Sequence, residues 1–481
     1  MKHTLKYLLI AISLLAACKA DFGNLNDDPT KVSSAPTKNL LTNAIQRVPF
    51  TTLGYIDTLT YEQNGNYYVQ YVSEGPYPGA ANYTTLNQPW DAFYYRPLAN
   101  LQAIIDYNTA DNPLADPSVN GSKNNQLAVA RILRAFYFWT LTDKYGDIPY
   151  SEALKGIENI SPKYDKQQDI YYDLFKELKE ASQQISETEA GVSGDILLHG
   201  NMTEWKKFAN TTRLFMALRL VKNDYDKGKA EFTDAVSSGI LSGNLENVIY
   251  HFLNDPKNYN PWYNNYSVNQ RNDYAISATL TDYMGQLNDP RLPLYGEVLA
   301  DGTVKGLPYG QAAQSITGAF SRLGDDFRAA NSPAYIYTYA QVLFALAEGA
   351  KVGYLPGGDA TAEEHYRNAI KSSFEMYGVF DEAAYQTYIS LPEIAYSPAE
   401  GIKKIIYQKW IHQYLNGFEA WSDWRRTGFP VLKPAEEGVV DYIPRRMGYP
   451  TDEATINTKN YQEAVARQGP DELGTRMWWD K

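Results

Sequence analysis

A helix, a short break and a second helix recur along this chain. Between 334 and 352, Ile336, Tyr339, Ala340, Leu343, Phe344 and Ala347 share one face of a 3.6-residue period. A Gly-Pro-rich break, GYLPGGDA, follows, and from 361 to 377 Ala362, Tyr366, Ala369, Ile370 and Phe374 return at helical spacing. The stretch 126–143 repeats the pattern with Ile132, Ala135, Phe136 and Trp139. A fourth, 201–221, does so with Trp205, Phe208, Thr212, Phe215 and Met216. An apolar stripe must be buried against a partner. Successive stripes with Ala at close-contact positions therefore predict stacked helix pairs of the tetratricopeptide (TPR) type.

Long irregular stretches separate the helical blocks: 65–89, 110–123, 243–274, 291–332 and 431–457. Loops of this length are uncommon in compact domains unless they have a task. Two short β segments, 247–252 and 296–304, are expected inside them. Aromatic residues make up 14% of the chain, with 40 Tyr, and two of these loops hold much of the excess. The segment NPWYNNYSVNQR carries Trp262, Tyr263, Tyr266, Asn265 and Arg271, and NGNYYVQYVSEGPYPGAANY carries Tyr67, Tyr68, Tyr71, Tyr77 and Tyr83. Flat rings flanked by amides and a guanidinium suit stacking and hydrogen bonding of sugar rings, so both loops are candidates for a ligand face. The competing reading is that these rings pin long loops to the scaffold.

The single cysteine, Cys18, cannot form an internal disulfide. Lys2, His3 and Lys6 precede an apolar run from Leu8 to Ala17, which is too short to span a bilayer but fits a secretory leader. Leu15-Ala16-Ala17-Cys18 resembles a bacterial lipobox. The expectation is a signal peptide over 1–17, lipidation of Cys18, and a polar tether over 18–36. Loss of Lys2 and Lys6 with the leader takes the formal net charge from −12 to −14. No basic run offers a nucleic-acid surface. The negative charge also works against long-range capture of strongly acidic polysaccharides, although local loop charge can outweigh it.

No Walker A, GxGxxG, HExxH or GxSxG motif occurs, and His3, His199, His251, His365 and His412 are not spaced as metal ligands. No metal site or cofactor is expected, while a carboxylate pair for glycoside hydrolysis, whose two acids can be far apart in the chain, stays open. Asp143 and Asp147 are a tempting carboxylate pair, but LTDKYGDIPY reads as a helix end with Gly146 as its cap.

Several blocks together resemble the SusD/RagB family of outer-membrane nutrient-binding lipoproteins, in its SusD-like branch. They are GNLNDDPT at 23–30, AVARILRAFYFWTLTDKYGDIPYSEAL at 128–154, NDPRLPLY at 288–295, IIYQKWIHQYLNGFEAWSDWRRTGFPVLKP at 405–434, YIPRRMGYPTDEATIN at 442–457 and TRMWWD at 475–480. The resemblance implies a mainly α fold: a TPR-like helix-pair scaffold, a SusD-like α-α superhelix, with long irregular ligand-binding loops and minor β. It implies one binding domain over 37–481. It further implies a non-enzymatic, lipid-anchored protein of the outer membrane that faces the cell exterior. Such a protein would capture oligosaccharides or oligopeptides and, as a hinged lid, deliver them to a SusC-like TonB-dependent β-barrel transporter. Within the family-like blocks, Trp421, Trp424, Arg425 and Arg426 read as architecture, and Arg131 and Arg134 as partners of acids on a neighbouring helix. Two other functions fit the residues: a lipid-anchored glycoside hydrolase with a carboxylate pair distant in the chain, and a periplasmic TPR-type scaffold.

Overall fold

Helix starts and stops in this chain are written in its capping residues. A computed structural model describes residues 35–55, 64–111 and 117–481. The leader, Cys18 and the tether up to position 34 lie outside the described residues. The scaffold is built from α1 (Thr37–Gln46), α2 (Ala99–Thr109), α3 (Lys123–Tyr145), α4 (Gln167–Gln184), α5 (Met202–Arg219), α6 (Tyr225–Ser237), α7 (Tyr339–Lys351), α8 (Gly358–Met376), α9 (Gly401–His412) and α10 (Gly417–Thr427). From α1 to α6 each helix packs on the next, α7 packs on α8, and α9 packs on α7 and α10. Ser122, Asn201 and Asp224 cap α3, α5 and α6 by accepting hydrogen bonds from backbone N–H groups of the first turn. Gly146 ends α3 at a φ of +83°. A Cβ there would meet Gln468 Oε1 at 1.8 Å, so both the backbone angle and the space select glycine.

One expected helix start is displaced. The apolar pattern from 334 divides into β6 (Ala334–Tyr337) and then α7, because Thr338 and Gln341 form a reciprocal capping box that opens the helix. The residues before the box are rich in aromatic and β-branched side chains, and they pair antiparallel with β4 (Val248–Tyr250), which lies within the expected 247–252 segment. The expected strand at 296–304 does not form. Asp301 accepts from the Thr303 N–H and Gly302 turns the chain, leaving only a bridge between Gly296 and Leu323. Two further short ladders pair β1 (Val72–Glu74) with β5 (Tyr274–Ile276), and β2 (Ile148–Pro149) with β3 (Tyr164–Asp165).

Residues Thr37–Lys481 make one compact unit. Its core holds fully buried charges as well as apolar side chains. Arg219 pairs with Asp143 at 3.2 Å and Glu419 at 2.5 Å. Lys409 pairs with Asp423 at 2.8 Å, and Arg426 joins Asp423 at 2.6 Å to Glu348. This network ties α3, α5, α7, α9 and α10 together. Arg131 and Arg134 of α3 reach Glu177 of α4 at 2.8 and 3.4 Å, as the sequence suggested. Asp143 and Asp147 are likewise structural. Asp143 accepts from Arg219 and Trp479, and Asp147 from Arg467 and the Gln167 N–H. Among the described residues no helix is long and apolar enough to cross a membrane.

Candidate ligand-binding site

The two aromatic-rich loops meet because β1 pairs with β5 in the register Val72↔Ile276, Ser73↔Ala275 and Glu74↔Tyr274. The Gly75 N–H extends the ladder to the Asp273 carbonyl at 2.9 Å. Residues 75–83, which leave β1, therefore lie beside residues 259–273, which enter β5. Asn260 caps a helical turn at Pro261–Tyr263 by accepting from the Trp262 N–H. A wider five-residue turn, Asn264–Val268, then presents Tyr266.

Two of the predicted rings face solvent: Tyr77 is 66% exposed and Tyr266 39%. Each lies under a guanidinium, Arg271 at 5.4 Å from the Tyr77 centroid and Arg328 at 4.4 Å from the Tyr266 centroid. Arg271 is itself anchored to Asp273 at 2.5 Å, and this hydrogen bond raises its pKa. The Asn265 amide donates to the same carboxylate at 3.3 Å. Tyr263 stacks edge-to-face on Tyr259, with ring centroids 4.9 Å apart. Tyr266, Asn265, Arg271, Arg322 and Arg328 surround a notch of about 20 Å³ floored by Trp262, room for one water-sized group. Behind it, burial raises the Glu74 carboxyl to about 7 even though the Ala81 N–H donates to it at 2.9 Å.

The other predicted rings are not on this face. Tyr67, Tyr68, Tyr71 and Tyr83 are all buried to 2% exposure or less. Tyr68 packs between Tyr83 and Trp421, Tyr71 stacks on Trp410 and donates to its carbonyl at 2.5 Å, and the Tyr83 hydroxyl accepts from the Ala435 N–H. They pin the first loop to the scaffold, the competing reading at these four positions. Trp262, 3% exposed, packs against Tyr55 and edge-on against Tyr274, so it floors the site and is not a platform. Arg322 and Arg328 escaped sequence reasoning, because they come from the 291–332 stretch and only the tertiary fold carries them to Tyr266.

The Trp421 block is architectural: the Arg425 guanidinium sits 3.5 Å from the Trp421 centroid and donates to the Asp143 carbonyl. Trp424, under Arg445 at 5.0 Å, differs from its neighbours in lining an open cleft of about 680 Å³ with Tyr442 and Arg476.

This face offers exposed aromatic planes beside amide and guanidinium donors. A SusD-like family model described as "Starch-binding associating with outer membrane" matches residues 29–450. No curated protein matches the chain. Among solved structures, a chitin-binding protein is 28% identical with a TM-score of 0.76, over 92% of this chain and 99% of that one. A chitin-binding SusD homologue from Flavobacterium johnsoniae is 27% identical with a TM-score of 0.76, over 91% and 98%. A SusD homologue from Bacteroides uniformis is 26% identical with a TM-score of 0.75, over 92% and 99%. The helix-pair scaffold, the extent of the family match and the end-to-end coverage of these structures place the chain in the SusD-like family, whose members are outer-membrane-associated binding proteins and not enzymes.

Proposed function

We propose that this chain is a cell-surface glycan-binding lipoprotein that holds an oligosaccharide on the face formed by Tyr77 and Tyr266. The observation that carries the reading is the pair of exposed rings joined through Arg271, which stacks over Tyr77 and lines the notch beside Tyr266. Sugar rings present apolar C–H faces to aromatic planes and hydroxyls to amide and guanidinium donors, and this face offers both. The chitin-binding relatives support the ligand class. Cys18 carries the lipid in this reading, 18–36 is the tether, and the compact unit acts as a lid that passes its ligand to a SusC-like TonB-dependent barrel.

Titration of the full chain with chitooligosaccharides and maltooligosaccharides tests the binding step. Tyr77→Ala with Tyr266→Ala should weaken affinity at least tenfold, since each stacked ring is worth about 1 kcal/mol. Unchanged affinity for a bound glycan would remove this face. Product analysis on the same glycans tests the hydrolase reading. Protease shaving of intact cells separates a surface lid from a periplasmic scaffold, and co-purification from mild detergent tests the barrel partner.

A further inference from the structure

The notch beneath Tyr266 is rich in donors and poor in acceptors. Three guanidiniums, Arg271, Arg322 and Arg328, line it, and no carboxylate does. Their acids stand outside the lining. Asp273 holds Arg271. Arg328 is shared between Glu297 at 3.3 Å and Asp325 at 2.7 Å, and Asp325 is 88% exposed and water-screened. Among the described residues the Arg322 guanidinium makes no carboxylate ion pair. Its guanidinium is gripped by neutral acceptors, Asn272 Oδ1 at 2.5 Å and the carbonyls of Ile316, Thr317 and Phe320 at 3.0, 3.1 and 2.5 Å. Burial holds its pKa below the usual arginine range, outweighing the opposing pull of Glu297, whose carboxylate accepts from the Arg322 backbone N–H at 3.3 Å.

Two of the lining residues carry buried donors with no hydrogen-bond partner among the described residues: Trp262 Nε1, on a side chain 3% exposed, and Arg328 Nη1. A buried donor left without an acceptor is costly, so an acceptor that reaches these two side chains is stabilised there. A notch of about 20 Å³ is too small for a sugar ring but admits a substituent.

Resting on the glycan-binding reading above, we infer that the ligand is an acidic glycan whose uronate carboxylate enters this notch while its ring lies on the exposed tyrosines. A carboxylate offers two acceptor oxygens to guanidinium and indole N–H donors and would place an anion beside the Arg322 guanidinium, whose own hydrogen-bond acceptors are neutral.

The test is calorimetric titration of the full chain with oligogalacturonate, oligomannuronate, the methyl ester of the oligogalacturonate, a sulfated neutral oligosaccharide and chitooligosaccharide. A uronate should bind, with the free acid about tenfold or more tighter than its ester. That ratio should collapse toward one in Arg271→Gln and in Arg322→Gln. Arg271 is half exposed and, among the described residues, its side chain touches only Asp273 and the exposed Tyr77 ring in salt-bridge and stacking contacts, so its variant folds even if loss of Arg322 loosens the 316–322 loop. Equal binding of acid and ester, preference for the sulfated oligomer, or binding of chitooligosaccharide with no uronate bound would each overturn the carboxylate assignment and leave glycan capture standing. Binding of no glycan at all would overturn both.

Discussion

Arg271 lies with its guanidinium 5.4 Å from the centre of the Tyr77 ring, joining residues that are almost two hundred positions apart in the chain. Both side chains are more than half exposed, so the contact adds only about 0.5–1 kcal/mol to the fold. Its consequence is positional: it holds a solvent-facing ring beside the notch. Tyr77→Ala should leave the melting temperature within about 2 °C of the parent. Glycan affinity should fall in the same variant. A matching loss of stability and affinity would show that Tyr77 supports the loop and does not meet ligand.

Gly65 and Gly417 approach backbone to backbone where the first loop crosses the start of α10. A Cβ on Gly417 would stand 2.2 Å from the Asn66 nitrogen, and one on Gly65 would stand 2.7 Å from the Phe418 nitrogen. Backbone cannot swing aside as a side-chain tip can, so Gly417→Ala must separate the two segments. The expected cost is about 1–3 kcal/mol or more, read as a lower denaturation midpoint. Because Tyr67, Tyr68 and Tyr71 ride on that segment, proteolysis within 64–83 should accelerate. A wild-type midpoint would refute the close approach.

How these loops dock was only partly legible. The helical stripes could be read because a buried helix repeats its chemistry every turn, as Leu343, Phe344 and Ala347 do. Tyr67 and Tyr77 could not be told apart by type or neighbours, since both stand in a Gly- and Asn-rich aromatic loop. What separates them is the Gly65–Gly417 crossing, a contact between segments more than three hundred residues apart. Arg322 was invisible for the same reason, as its role comes from the carbonyls that hold it and from its arrival beside Tyr266.

Asp423 is the hub of the buried ion network, with Lys409 at 2.8 Å and Arg426 at 2.6 Å. These cations, with Arg219, hold its carboxyl well below the usual carboxylate range, overcoming the opposing effect of burial. Asp423→Ala leaves two cations in the core without their shared anion, which should cost about 3–5 kcal/mol. Replacing an outer pair, Lys403 and Glu400, should leave the midpoint close to the parent's because both ends face water. Urea denaturation of the two variants checks the contrast, and equal losses would deny the network its structural role.

Glu74 should respond to pH in the opposite sense from most carboxylates. Burial raises its folded pKa to about 7, against about 4.5 unfolded. The folded state therefore binds the extra proton between those values. The stability this supplies is complete below about pH 4.5 and is lost as pH rises through 7. Glu74→Gln mimics the protonated form, and should gain on the order of 2 kcal/mol over the parent at pH 8 while matching it at pH 4. No pH dependence in that difference would mean that Glu74 is ionised in the fold.

His412 carries the reverse dependence. Its ring is buried between α7 and α8, with Nε2 2.6 Å from the Thr338 hydroxyl and Nδ1 2.8 Å from the Ser373 hydroxyl. Burial, then the Arg291 and Lys409 charges, depress its pKa to about 3. Phe344 and Tyr377 pack against the ring and offer no charge to stabilise an imidazolium. The unfolded chain takes up a proton near pH 6.5 and the folded chain resists until about 3, so stability is intact above 6.5 and drains away as pH falls between the two. The full slope is about 1.4 kcal/mol per pH unit. His412→Gln keeps polar contacts to both hydroxyls and cannot titrate. It should start less stable than the parent at pH 7 and lose less on acidification, so the two denaturation midpoints converge by pH 4. Taking the difference between the chains removes the shared titration of carboxylates. Parallel midpoints from pH 7 to 4 would show that His412 is protonated in the fold, and the Thr338–Ser373 pocket would then have to hold a cation.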